Sequence, residues 1–148
     1  MLDRLSVNPI DGHKVREQAY KRLKMAFDKG IKIAMGSDTV RDLTTKYGEY
    51  SICEMRAMAE TGMGNLEAIR SGTQIAAELI GMGEHLGTIE SGKLADIILV
   101  KGNPADSIDV LMNRENIVYR YQGGDLKVEK GRMLNFGGKF SDISDQQS

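Results

Sequence analysis

This 148-residue chain has one cysteine, two histidines and a formal net charge of only -1. Each scarcity excludes something. With Cys53 alone, no intrachain disulfide can form, which fits a reducing compartment. His13 and His85 are too few for a zinc site built inside one chain, because such sites draw on several nitrogen or sulfur ligands. A pI near 6.1 argues against the basic face that nucleic-acid binding needs. The short cluster Lys21-Arg22-Leu23-Lys24 reads as a solvated helix face. No apolar run approaches the roughly 18 residues of a membrane span. The opening Met-Leu-Asp-Arg-Leu-Ser lacks the apolar core of a signal peptide, so a cytoplasmic protein without a membrane partner is expected. No Gly-x-Gly-x-x-Gly or glycine-rich loop ending in Gly-Lys-Ser/Thr occurs, and there is no internal repeat. What remains is 41% apolar and 28% charged residues, the balance of a soluble globular domain.

Residues 1–12 read as a loop, with Asn8-Pro9 and Asp11-Gly12 as turn signals. A helix is expected over 13–29, where Val15, Ala19, Leu23, Ala26 and Phe27 recur at three- and four-residue steps. Gly30 stops it. Ile31-Lys32-Ile33-Ala34-Met35 follows as a short strand and runs into Gly36-Ser37-Asp38. Helix, glycine link and strand are the second half of a βαβ unit, which implies a parallel sheet. A second helix is expected over 50–60, burying Ile52, Met55, Met58 and Ala59. Asn65 can cap a short helix to about Arg70. Ser71 or Thr73 can cap another to Ile80, with Ile75, Ala76, Leu79 and Ile80 as its apolar face.

Near residue 85 the character changes. Leu86 to Ile89 is read as a strand. Ile97-Ile98-Leu99-Val100 is read as a strand buried on both faces. A helical turn over 107–113 and strands over 117–121, 126–129 and 132–134 follow. The stretch Gln122-Gly123-Gly124-Asp125 is a hairpin turn. The tail from 137 to 148 is polar and expected to be mobile.

Among chemistry-bearing side chains Asp38 stands out, because it ends an expected parallel strand. In (β/α)₈ barrels catalytic residues lie at that end. A carboxylate there can ligate a cation or accept a proton from water. Position alone favours the plainer role, a turn or cap residue bonding nearby amides. His13, His85 and Cys53 lack partners at ligand or nucleophile spacing and read as surface or packing residues. Tyr47, Glu49 and Tyr50 could line a pocket or simply be loop polarity.

Four strings in order carry a resemblance. They are Gly30-Ile-Lys-Ile-Ala-Met-Gly-Ser-Asp38; Tyr47-Gly-Glu-Tyr-Ser-Ile-Cys-Glu54-Met with Gly62-Met and Glu67-Ala-Ile; Ser71-Gly-Thr-Gln-Ile-Ala-Ala-Glu-Leu-Ile-Gly81; and Leu86-Gly-Thr-Ile-Glu-Ser-Gly-Lys-Leu-Ala-Asp96-Ile-Ile-Leu-Val followed by Gly102-Asn-Pro104. Together they resemble the amidohydrolase superfamily, in the group of imidazolonepropionase-like enzymes and metal-dependent Xaa-Pro or Xaa-Arg dipeptidases. The resemblance covers residues 30 to about 131.

It implies an α/β fold class: the C-terminal fragment of a (β/α)₈ TIM barrel plus strands of a small β-sandwich. Residues 1–84 would be the end of the barrel, 85–136 the sandwich strands and 137–148 the tail. It implies zinc, one or two divalent ions, with most ligands outside this chain. Asp38 would be both metal ligand and catalytic base, while Asp96 would be structural. The family's His-x-His pair, bridging lysine and further histidines are not in this sequence. A whole barrel takes about 250 residues. Where relatives often carry His-Gly after the last strand, Tyr47-Gly48 stands here. The implied partners are a small amide or dipeptide substrate and the remainder of the barrel, or a homo-oligomer partner. The alternative is an inactive fragment serving as a structural or interaction module.

Overall fold

The computed structural model describes residues 11–38, 49–130 and 132–134. The 1–10 part of the expected opening loop, the Tyr47-Gly48 pair and the polar tail lie outside these residues.

Helix α1 spans Gly12–Asp28. The Asp11 carboxylate caps it, accepting from the amides of His13 (3.1 Å) and Lys14 (3.3 Å). Gly30, at φ 74°, turns the chain out of it. Leu23 and Phe27 pack on the core as their spacing requires. Val15, expected on the same face, is half exposed, and α1 has no fully buried residue. The helix packs on the core through its last two turns, and among the described residues none covers the apolar face of its N-terminal half.

Residues 31–38 form no strand. The expectation fails for a physical reason: a strand exists through ladder partners, and among the described residues none flanks this segment. One backbone bond holds its centre, from the Met35 amide to the Ser71 carbonyl at 3.0 Å.

Helix α2, Glu49–Met58, continues into a wide turn over Ala59–Met63, broken by Gly62 at φ 96°. Helix α3, Asn65–Gly72, and helix α4, Gln74–Leu79, follow. The expected side-chain caps are absent. The Asn65 amide instead reaches across to the carbonyls of Ala105 (3.1 Å) and Asp106 (2.9 Å). The Ser71 and Thr73 hydroxyls donate backward to Glu67 and Ile69. Met55, Met58, Met63 and Ala68 form the core with Ile108 and Leu111, which come from a 3₁₀ turn at Ile108–Met112. Burying each large side chain contributes roughly 1.5–3 kcal/mol. On α4 the expected apolar face is not buried: Leu79 and Ile80 are exposed, and Ala77 is the residue that packs.

Residues 86–88 are bends and Ile89 is irregular, so the expected strand does not form. Gly87, at φ 92°, brings the backbone against the start of α4, where a Cβ would fall 2.8 Å from the Ala77 Cβ and 2.9 Å from the Gln74 Cα. A regular strand cannot approach a helix that closely.

One antiparallel sheet of order β1-β2-β3-β4 follows, built from Ile97–Val100, Ile117–Gln122, Asp125–Glu129 and Arg132–Met133. Its register pairs Ile97 with Tyr121 and Arg120 with Val128. The expected two-sided burial of 97–100 is overturned. Among the described residues β1 is an edge strand, and Ile98 and Leu99 are nearly half exposed. Asp96 is structural in its contacts: its carboxylate accepts from the Gly123 amide at 2.6 Å and pins the β2–β3 turn.

Candidate functional site

Asp38 is the last described residue of the 31–38 segment and is exposed. Its φ of 42° lies in the left-handed region, which aspartate tolerates better than most residues. Behind Asp38, Ile33 and Met35 pack against the core. Lys32 bonds Glu78 of α4 at 2.6 Å.

The other sequence candidates lie elsewhere. His13 sits in the first turn of α1, with its amide on Asp11. His85 lies in the turn after α4, where its carbonyl accepts from the Leu94 amide at 2.9 Å. Cys53 is a half-buried free thiol on α2. Glu49 opens α2, 3.6 Å from Arg114. Among the described residues no group of three or more His, Cys, Asp or Glu side chains gathers for a metal. A carboxylate such as that of Asp38 can fill one oxygen position in a coordination shell, and no such group of three includes it among the described residues.

A groove of about 540 Å³ lies between α4 and the 86–98 stretch, lined by apolar groups such as Ala76, Ile80, Leu86, Ile89 and Ile97. Its polar corner is a chain of bonds: Lys93 donates to the Thr88 hydroxyl (2.5 Å), which donates to Glu90 (2.5 Å). The Thr88 hydroxyl, then Lys93, holds the Glu90 carboxyl below its ordinary value. Asp38 does not line this groove. Sequence reasoning missed how the Asp38 segment is held. Ser71 was legible only as a cap candidate, as an alternative to Thr73, and nothing in the spacing points to contact with Met35.

The sequence profile of the amidohydrolase family matches residues 2–127. The chain belongs to this family. A 5'-deoxyadenosine deaminase of Methanobrevibacter smithii is 32% identical over 84 residues, which are 55% of this chain and 19% of that protein. An imidazolonepropionase of Symbiobacterium thermophilum is 28% identical over 114 residues, 77% of this chain and 27% of that protein. A crystal structure of a Xaa-Pro dipeptidase with methionine bound in its active site is 40% identical, with a TM-score of 0.64. It covers 74% of this chain, which spans 25% of it. This amidohydrolase chain thus spans between a fifth and about a quarter of the length of these relatives.

Proposed function

We propose that the chain is the C-terminal portion of a metal-dependent hydrolase that cleaves an amide, cyclic amide or dipeptide bond with an activated water. The observation that carries the reading is the family match over residues 2–127, with Asp38 exposed at the end of the segment similar to the last barrel strand. In this reading residues 1–84 close the barrel, 85–136 supply sandwich strands and 137–148 trail. The names of the relatives support a small amide or dipeptide substrate.

Asp38 would contribute one ligand to a site of one or two zinc ions, the rest coming from outside this chain. Bound zinc lowers the pKa of water and polarises a carbonyl. The Asp38 carboxylate accepts the proton of the attacking water as the C–O bond forms. It then delivers that proton to the leaving nitrogen as the C–N bond breaks. Its exposure suits this role, since both water and substrate must reach it.

The test uses Asp38→Asn, which keeps the size and removes the base. Turnover of a Xaa-Pro dipeptide by the complete enzyme is expected to fall by about 10²–10⁴, with folding retained by circular dichroism. Near-normal turnover would sink the assignment. Elemental analysis of the isolated 148-residue chain separates two states. Close to one or two zinc atoms per chain means that ligands arrive from a second polypeptide. No zinc means that the isolated chain is inert.

The apolar groove and the open edge of β1 favour a second reading, an inactive module acting by association. It predicts no hydrolysis even when the partner is supplied.

A further inference from the structure

We propose that the excursion between β1 and β2, residues 101–116, is a clasp that makes the sheet and the helix layer of α2 and α3 open as one unit. Its base is closed in the sheet. Val100 pairs with Ile117, and the Lys101 amide donates to the Asn116 carbonyl at 2.7 Å. The body of the excursion is bonded to itself. The Asp106 and Ser107 amides donate to the Asn103 carbonyl at 3.1 and 3.2 Å. The Asn116 side-chain amide donates to the Val110 carbonyl at 2.8 Å. Gly102, at φ 102°, lets the backbone pass close to Val110, whose Cγ1 would lie 3.2 Å from an added Cβ. A loop with close ends and its own internal packing behaves as a compact body.

Its tip belongs to the helices. Ile108 and Leu111 are buried in one cluster with Met55, Met58, Met63 and Ala68. Polar contacts surround this pair. The Asn65 side-chain amide, at the start of α3, donates to the Ala105 and Asp106 carbonyls. Arg56 of α2 lies 3.5 Å from Asp109. Glu49, the first residue of α2, lies 3.6 Å from Arg114. The apolar pair carries the attachment, since exposed ion pairs contribute little. The polar contacts set its orientation.

With its base in the sheet and its tip in the helical core, the excursion ties the two together. The tip cannot leave the core without pulling on β1 and β2. The sheet cannot open without dislodging two buried side chains. The coupling cuts across the joint expected near residue 85, because residues 101–116 lie beyond that joint and pack with the helices before it. Every contact it uses lies within the described residues, and none involves Asp38.

The experiment is amide hydrogen–deuterium exchange by mass spectrometry on the 148-residue chain. It is read on a helix peptide around Met58 and a sheet peptide around Val128, the buried residue of β3. Leu111→Ala, in the clasp tip, should speed exchange of both peptides by about 30-fold or more. Val128→Ala should speed the helix peptide as well as its own. Two independent units would each respond only to their own substitution, and that result overturns the proposal. A second joint exists where Gly87 meets Ala77 of α4, so the route is tested too. With Asn65→Ala and Leu111→Val loosening the tip, the effect of Val128→Ala on the helix peptide should shrink. With Ala77→Gly it should persist. The reverse pattern overturns the clasp. Should Leu111→Ala fail to fold, Leu111→Val replaces it, with an expected acceleration of about threefold in both peptides. Acceleration of the helix peptide alone then overturns the proposal.

Discussion

Gly87 shows how much a single residue decides. It has a positive φ, and an added Cβ would overlap the Ala77 Cβ, the Gln74 Cα and the Thr73 carbonyl oxygen, all within 3 Å. Two of those atoms are backbone and cannot swing aside. Gly87→Ala is therefore expected to destabilise the chain by about 2–3 kcal/mol, read as a lower midpoint in urea. Met58 is the second such position, 2% exposed at the centre of the core. Met58→Ala is expected to cost about 2–5 kcal/mol in the same measurement. Met55 and Met58 were legible from helical spacing alone. The role of Gly87 was not, because the helix that crowds it is close in space and distant from its neighbours' pattern.

At the scale of elements, the attachment of the 31–38 segment to α4 is electrostatic at its surface end. The Lys32 hydrogen bond lowers the Glu78 pKa, against a smaller desolvation effect. A carboxyl whose folded pKa is depressed stabilises the fold above its unfolded pKa. It loses that contribution as pH falls through the folded value. The stability difference between the native chain and Glu78→Gln should therefore be present at neutral pH and vanish as pH drops below the ordinary glutamate value of about 4.3. A difference that persists unchanged in acid would remove the pair as its cause. Raised salt should shrink it too, because both partners are at the surface.

For the whole molecule, the exposed apolar surface is the main fact. Ile89 is 82% exposed, Leu79 75% and Ile80 67%, and they cluster around α4 and the groove beside it. Among the described residues β1 is an edge strand, and it has no charge or proline within Ile97–Val100 to blunt its outer side. The isolated chain is expected to self-associate, aggregate or pair with another polypeptide. Size-exclusion chromatography with light scattering checks this: a stable monomer at micromolar concentration would count against it. In a self-associating chain, Ile89→Lys with Ile98→Lys should raise the monomer fraction.

Helix positions, the two-glycine hairpin and the methionine core followed from the sequence by itself, because helical spacing and turn chemistry are local. Family membership was legible for a related reason: short ordered strings around Asp38, Ser71 and Asp96 survive without any knowledge of what they touch. Tertiary structure alone decided the rest. Ile31 to Met35 has the composition of a strand and is not one, since strands are made by neighbours. Leu79 and Ile80 have the pattern of a buried face and lie open, since burial needs a surface to bury against. Ser71 read as a candidate cap and instead accepts from the Met35 amide through its carbonyl, because that contact joins residues 36 positions apart and depends on where a helix breaks.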